Sequence, residues 1–300
     1  VEIAYRTLCQ LFDEIGIYDF EFVFTDNHSE DETFEILERL SSQDKRIGAL
    51  RFNRNYGFQR SLLTAYRHAK GDAAIQIDCD LQDPPSLIRE FLAKWEQGHD
   101  VVVGLRRRRQ ENFLLSFGRR TFYVLLNRIS DDEITPDAGD FRLIDRSVLN
   151  RLTEIDDYSP YVRGIVSSFA TNLKGIEYDR AERLRGQSKF PVMRLIGFAW
   201  DGIIGHSMMP LRLATYVGLL VSVFTFGLSL FYILAAVVFG SAWPGGFATT
   251  TVLILLGTSL NAIFLGILGE YIARIYQQVR KRPIAVVVRS LNISVKGSEQ

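Results

Sequence analysis

The sequence predicts an α/β protein with a mostly parallel sheet and helices on both faces, followed by interfacial helices and two transmembrane helices. Three observations predict this architecture. Helix-like and strand-like apolar patterns alternate over residues 1–189. An amphipathic segment occupies 190–212, and two apolar runs, 213–240 and 247–269, contain no charged residue. We therefore expect an open α/β sheet domain joined to a membrane anchor.

The elements of the first part alternate in the order expected of a doubly wound sheet. The predicted helices are 5–15, 33–40, 59–69 and 86–96, and the predicted strands are 20–25, 47–52, 73–77 and 101–103. Ser29 and Glu32 predict a capping box at the start of the second helix. Asp83, followed by proline, predicts the N-cap of the fourth helix. Short connections between such elements favour parallel strands.

The predicted domains follow from these patterns. Residues 1–189 form a cytoplasmic domain, 190–212 an interfacial segment, 213–275 a two-helix transmembrane hairpin and 276–300 a cytoplasmic tail. Because the chain opens inside a helical pattern, we expect a first strand and its loop to precede Val1. Ligand contacts often follow the first strand of such sheets, so part of the site is expected from that loop.

Composition narrows the class of protein. Lys and Arg total 35 and Asp and Glu total 35, so the net charge offers no argument for a nucleic-acid partner. The only cysteines are Cys9 and Cys79, which excludes a disulfide framework and a cysteine metal cluster.

The two apolar runs predict an anchor with a defined orientation. Each exceeds the roughly 20 residues that a helix needs to cross a bilayer. Basic residues flank the runs on one side only: Arg212, Arg274, Arg280, Lys281 and Arg282. Since cytoplasmic flanks carry the excess of Lys and Arg, we expect both termini and the large domain in the cytoplasm. The segment 190–212 is expected either in the headgroup plane or against the soluble domain.

Two carboxylates end a buried strand. Asp78 and Asp80 directly follow the apolar run 73–77. Ligands of open α/β sheets bind outside the carboxyl ends of the strands, and carboxylates are ligands for Mg²⁺. The alternative is a solvated turn, which explains the polarity of the two residues but not their position.

Five sequence blocks carry a resemblance. They are DNHSEDET at 26–33, RNYGFQ at 54–59, DCDLQDPP at 78–85, GDFRL at 139–143 and RLRGQSK at 183–189. Together they resemble the inverting family 2 glycosyltransferases of the GT-A fold, and more narrowly the polyprenyl-phosphate glycosyltransferases. That group includes dolichyl-phosphate mannose synthase and bacterial undecaprenyl-phosphate glucosyltransferases. The Pro-x-Tyr-Asn-Glu type motif that ends the family's first strand is absent from this sequence.

The resemblance implies roles for the residues of these blocks. It implies that Asp26, Asn55, Gly57 and Asp78 bind a nucleotide-sugar. It also implies that Asp80, with Asp78, binds a Mg²⁺ or Mn²⁺ ion at the diphosphate. Gln82 is then expected near the transferred sugar or the acceptor phosphate.

The acceptor side is expected to be cationic. A lipid phosphate is already anionic at neutral pH, so a strong general base is not required, and Asp140 is a candidate for orienting a substrate or for acting as base. The candidates for binding the acceptor phosphate are Arg106, Arg119, Arg120, Arg183, Ser188 and Lys189. For residues 107–109 a solvated loop, or attraction to anionic headgroups, is an equally good interpretation.

The sequence therefore predicts an enzyme that transfers one hexose, glucose from UDP-glucose, to an undecaprenyl-type phosphate at the cytoplasmic membrane face. The alternatives are a GDP-mannose-dependent synthase of the dolichyl-phosphate type, a processive polysaccharide synthase and a non-catalytic scaffold. Only two spans and no Gln-x-x-Arg-Trp motif disfavour the processive synthase. Glycines along both spans permit close helix contacts, so we expect a homo-oligomer.

Overall fold

The computed structural model describes residues 1–107, 138–158, 160–179, 209–239, 246–280 and 282–294. The chain divides into two units. The first contains the described residues up to 179 together with 282–294, and the second contains the described residues between 209 and 280.

The first unit contains six helices and seven strands among the described residues. The helices are α1 Glu2–Ile15, α2 Thr33–Gln43, α3 Phe58–His68, α4 Ile88–Glu96, α5 Arg146–Glu154 and α6 Val162–Phe169. The strands are β1 Phe22–Asp26, β2 Ile47–Phe52, β3 Ala73–Gln76, β4 Val101–Arg106, β5 Ala138–Asp145, β6 Leu173–Tyr178 and β7 Val287–Leu291. The predicted α/β class is confirmed, with every predicted helix and strand present within a few residues.

The strands form two sheets, in the orders β1-β2-β7 and β3-β5-β4-β6. β1 and β2 are parallel, as are β4 and β6. The other three pairings among the described strands are antiparallel, so these sheets are mixed, whereas the sequence predicts a mostly parallel one. β5 runs antiparallel to both of its neighbours, with Arg142 opposite Gln76 of β3 and Val103 of β4. The beginning of β5 therefore lies at the edge where β3 and β4 end.

Apolar side chains cover both faces of the second sheet, as successive residues of a strand point to opposite sides. Leu143 packs with Phe91 of α4 and Val102 of β4 in one cluster. Ile144 packs in another cluster, with Leu63 of α3 among its members. Helices therefore lie on both faces of the sheet, as the sequence predicts.

Two predicted helix caps are wrong. α2 begins after Glu32 without a side-chain cap, and the backbone N–H of Ser29 instead donates to Asp26 (2.8 Å). Ahead of α4 the chain forms a 3₁₀ turn at Pro85–Leu87, preceded by Pro84 rather than by Asp83. Asp83 is buried, and its carboxylate accepts a hydrogen bond from the Tyr178 hydroxyl (2.5 Å) instead of capping the helix.

The segment predicted as a tail contributes a strand to the first unit. β7 pairs antiparallel with β2, with Leu291 opposite Ala49. The Asn292 side chain donates to the carbonyls of Ser41 and Ile47, both at 2.9 Å. A β carbon at Gly48 would lie 2.4 Å from the Ile293 side chain, so the glycine provides the space that the returning chain needs.

The second unit contains two long apolar helices, α7 Met209–Phe239 and α8 Phe247–Val279. Pro210–Leu228 and Leu256–Val279 are long and apolar enough to cross a membrane. Large apolar side chains on them are exposed, among them Phe226 and Ile263. Such surfaces require a nonaqueous environment, so the helices associate the chain with a membrane. Most of the predicted interfacial segment, 190–208, lies outside the described residues.

Candidate active site

Polar residues meet at the edge of the sheets where the parallel strands end. Asp26 ends β1, Asp78 follows β3 and Arg106 ends β4. Because β5 is antiparallel, Asp140 lies near its beginning and at this same edge. The fold thus brings together predicted site residues that are far apart in sequence.

Two asparagines shape the loops beside β1. The backbone N–H of Tyr56 donates to the Asn27 side chain, and that of Gly57 donates to Asn55, both at 2.8 Å. Gly57 has φ 84° and ψ 164°, a conformation essentially restricted to glycine. These bonds fix the loop that starts α3 against the loop that follows β1.

Asp26 lies behind this surface. It is 2% exposed, its Oδ1 accepts from the Ser29 backbone, and its Oδ2 lies 3.4 Å from Arg51 Nε. Asn27, rather than Asp26, lines the adjacent cleft. The carboxylate therefore supports the loop from within, and its implied binding of a nucleotide-sugar stays a prediction.

A cleft of about 750 Å³ runs between β1 and β3. Within the described residues, β1 pairs with β2 alone and β3 with β5 alone, so each presents an open edge to the cleft. Apolar side chains such as Phe24 and Ile75 line its length, whereas Asn27, Asn55 and Asp78 lie among its polar lining residues. An open strand edge can pair with a further strand. The apolar part of the cleft, between the open edges of β1 and β3, therefore resembles a gap in a sheet.

The turn after β3 separates two carboxylates. The Leu81 N–H donates to the Asp78 carbonyl (3.3 Å), and the Gln82 N–H donates to Asp80 Oδ1 (3.1 Å). Leu81 has φ 54°, a left-handed conformation that costs a non-glycine residue about 1–3 kcal/mol. The turn leaves Asp80 exposed and buries Gln82. The candidate catalytic residue Gln82 thus has its side chain inside the fold.

The turn after β3 offers two carboxylates, Asp78 and Asp80, to a divalent cation. Among the described residues, no group of three or more His, Cys, Asp and Glu side chains could hold a metal ion. Asp78 and Asp80 together fit the weaker requirement of Mg²⁺, which binds through one or two carboxylates and takes its other ligands from phosphates and water.

Arg106 lies in a polar group at the end of β4. Its Nε donates to the Tyr178 hydroxyl (3.2 Å), and its Nη2 lies 3.5 Å from Asp83 Oδ2. Tyr178 ends β6, where its phenol is buried. Sequence reasoning missed Tyr178; the only signal for a strand there is the short apolar–polar alternation of Ile176, Glu177 and Tyr178.

Asp140 is held by a cation that sequence reasoning also missed. Arg163 of α6 donates from Nε to Asp140 Oδ1 (2.5 Å) and from Nη2 to Oδ2. The neighbouring Arg142 is buried, and burial lowers the pKa of its guanidinium. Both carboxylate oxygens of Asp140 are therefore engaged by a guanidinium, which favours a role in positioning over one as base. No sequence signal identifies Arg163.

The remaining predicted phosphate ligands lie outside the described residues: Arg119, Arg120, Arg183, Ser188 and Lys189. Their roles stay predictions.

The fold and this edge define a class: an α/β protein whose sheet ends in carboxylates, with two helices that associate it with a membrane. The description "Glycosyl transferase family 2" matches residues 2–153. The chain belongs to this family.

Several relatives are similar over almost the whole chain. The "Prophage bactoprenol glucosyl transferase homolog" of Escherichia coli (strain K12) is 37% identical over 96% of this chain and 94% of that protein. The "Bactoprenol glucosyl transferase" of Shigella phage SfII is 36% identical over 97% and 94%. The "Uncharacterized glycosyltransferase YkcC" of Bacillus subtilis (strain 168) is 36% identical over 98% and 90%.

Proposed function

We propose that this protein transfers a single glucose, with inversion, from UDP-glucose to a polyprenyl phosphate of the undecaprenyl type. The observation that carries the proposal is the extent of the likeness to bactoprenol glucosyl transferases. It spans the sheet domain and both apolar helices, at 37% identity over 96% of the chain for one relative. A domain for a nucleotide-sugar and an anchor beside a lipid substrate are the two parts that this reaction needs.

The chemistry agrees with the residues at the sheet edge. An oxygen of the lipid phosphate bonds to the anomeric carbon of the sugar, while the bond from that carbon to the nucleotide diphosphate breaks. The diphosphate leaves with the electron pair. The attacking oxygen already carries negative charge, so no residue need remove a proton. This is consistent with Asp140 being engaged by Arg163.

A Mg²⁺ or Mn²⁺ ion belongs to the proposal. Asp80 and Asp78 are the residues that would hold it, since both lie at the turn after β3. When bound, the ion supplies positive charge to the leaving diphosphate. Asn27, Asn55 and Gly57 would orient the nucleotide-sugar across the mouth of the cleft.

We also propose that a β-strand ahead of Val1 fills the apolar length of the cleft. The open edges of β1 and β3 support this, as does α1, which leads into β1 in the manner of a crossover helix after a preceding strand. The loop at the end of such a strand would lie beside Asn27 and Asp78. Hydrogen exchange on the chain with and without such a segment tests this, since protection is expected in β1 and β3.

The orientation of the anchor is a further part of the proposal. β2 precedes the two helices in sequence and β7 follows them, yet the two strands pair in one sheet. This pairing supports a hairpin whose two ends lie on the same side of the membrane. The flanking arginines support the cytoplasm as that side. Labelling of a cysteine introduced at Ser241 from the outside, but not of one introduced at Glu90, is the expected result.

The helices are also candidates for contacts between copies, as a homo-oligomer. A β carbon at Gly218 would lie 3.6 Å from the Phe264 ring, an ordinary van der Waals distance, so this contact within the hairpin does not itself require a glycine. The glycines along both helices support the proposal because small residues permit close contacts between helices. Mass measurement in detergent tests whether the same glycines support association between chains.

The reaction is tested with purified protein, undecaprenyl phosphate and labelled nucleotide-sugars. UDP-glucose is expected to give a lipid-linked sugar, and Asp80→Ala to reduce turnover at least a hundredfold. Glu90→Ala, an exposed acid on α4, is the matched control and is expected to leave turnover unchanged. Transfer from GDP-mannose instead of UDP-glucose would refute the donor assignment, and full activity of Asp80→Ala would refute the metal assignment.

A further inference from the structure

Arg106 belongs to a closed group of three polar side chains. The Tyr178 hydroxyl accepts from Arg106 Nε (3.2 Å) and donates to Asp83 Oδ1 (2.5 Å). The other oxygen of Asp83 lies 3.5 Å from Arg106 Nη2. Each side chain contacts both of the others, which fixes the rotation of the guanidinium about its last bond.

The group is buried at its base and accessible at its tip. Asp83 is 2% exposed and Tyr178 5%, whereas the Arg106 side chain is 32% exposed. Burial, and then the hydrogen bond to Asp83, raise the pKa of Tyr178 to about 12. The phenol therefore keeps its proton at neutral pH, and a neutral phenol can bond the arginine and the aspartate together.

A glycine completes the group. A β carbon at Gly139 would lie 3.3 Å from Arg106 Nε and 3.5 Å from Nη2. The first distance is tighter than most contacts of a β carbon, so a side chain at this position would displace the guanidinium by a few tenths of an ångström. This contact gives Gly139, which precedes Asp140 in the GDFRL block, a steric role that its sequence does not indicate.

The guanidinium retains unused donors. Arginine has five N–H donors, and the contacts to Tyr178 and Asp83 use Nε and one side of Nη2. Within the described part of the chain, no other side chain or carbonyl accepts a hydrogen bond from Arg106. The remaining N–H groups form an edge of the kind that binds phosphate oxygens in pairs.

The position of this edge points to one of the two substrates. Asp78 follows β3, and Arg106 ends β4, with β5 between them. Two strand spacings separate β3 from β4 by about 10 Å. That distance leaves room for a sugar ring between a diphosphate at Asp78 and a second phosphate at Arg106.

We propose that Asp83, Tyr178 and Gly139 are positioning residues that hold Arg106 so that it binds the phosphate of the lipid acceptor. The proposal rests on the proposed function and deepens it, because it names the residues that prepare the acceptor side. All three residues are buried, so in this proposal each acts through the arginine.

Steady-state kinetics of Tyr178→Phe test the proposal. The variant keeps the ring and removes the hydroxyl, and we expect the KM for polyprenyl phosphate to rise about tenfold. The KM for the nucleotide-sugar and kcat are expected to stay within about twofold, because the donor side is unchanged. Tyr5→Phe is the matched control, since it removes a comparable tyrosine bond to Asp44 (2.8 Å) elsewhere in the domain.

A double-variant experiment isolates the action through Arg106. In an Arg106→Ala background, Tyr178→Phe is expected to have no further effect on the KM for the lipid phosphate. Gly139→Ala is expected to raise the KM for the lipid phosphate and to leave the melting temperature unchanged. A general packing defect would instead lower the melting temperature. Equal effects of Tyr178→Phe with and without Arg106, or a rise confined to the nucleotide-sugar KM, would overturn the proposal.

Failure of the proposed function is recognised separately. If the unmodified chain transfers no sugar, equilibrium binding of a short-chain polyprenyl phosphate still tests whether Arg106 is positioned to bind the phosphate, because binding requires no turnover. Weaker binding by Arg106→Ala and by Tyr178→Phe then supports it, and unchanged binding by both refutes it.

Discussion

Replacing Arg163 by alanine tests whether Asp140 is held for structure or used in the chemical step. In the structure both oxygens of Asp140 accept from this guanidinium, which joins α6 to the beginning of β5. The Asp140 side chain is 13% exposed and the Arg163 side chain 36%. Removal of one partner of a fully buried pair costs about 3–5 kcal/mol, and the exposure of Arg163 reduces this to about 2 kcal/mol.

The expected loss of stability can be measured as a fall in the melting temperature. For a domain of this size each kcal/mol corresponds to about 2–4 °C, so Arg163→Ala should melt about 4–8 °C lower. Asp140→Asn should show a similar loss, and the double variant should lose little more than either single one. Arg151→Ala, an exposed arginine on the neighbouring α5, is the control and should melt like the unmodified protein.

Activity decides the chemical role. If Asp140 positions the strand, Asp140→Asn should retain kcat within about threefold when assayed below its melting temperature. Loss of a general base lowers the rate by about 10²–10⁴. An Asp140→Asn variant that melts normally yet loses a hundredfold or more in kcat would refute the reasoning.

Three further changes test other parts of the fold. Asn292→Ala removes two hydrogen bonds that hold the returning chain, and it should cost about 2 kcal/mol and increase proteolysis after β7. The pKa of the Asp44 carboxyl is lowered to about 2, and the largest cause is the hydrogen bond from the Arg46 side chain. Its contribution to stability is present above the unfolded pKa of about 4 and is lost as the pH falls to about 2, so the melting difference caused by Asp44→Asn should shrink over that interval. Gly57→Ala forces a side chain into a conformation restricted to glycine and should raise the KM for the nucleotide-sugar, whereas Gly16→Ala, at φ 69°, should lower stability without that kinetic effect.

Sequence patterns predicted the helices and strands well because each of these elements is determined largely by the residues within it. The strand at 47–52 has the predicted bounds, and the carboxylates at Asp78 and Asp80 follow a strand as expected. The α/β class follows from the order of these elements.

Partners that are distant in sequence were not predictable. Asp83 has the local signature of a helix cap, yet it bonds Tyr178, which is 95 residues away. Arg163 reaches Asp140 only because α6 packs beside β5, and no periodic pattern specifies that contact. Local patterns are read from neighbouring residues, whereas these contacts are decided by which elements the fold brings together.

The pairing of β7 with β2 has a consequence for biosynthesis. The ribosome makes β2 early and β7 only after both apolar helices, so the outer edge of β2 has no partner from β7 while the helices enter the bilayer. An open strand edge can pair with another nascent chain. The outer edge of β2 therefore stays open for as long as the two apolar helices take to be synthesised, and aggregation or quality-control proteases can act on the chain during that interval.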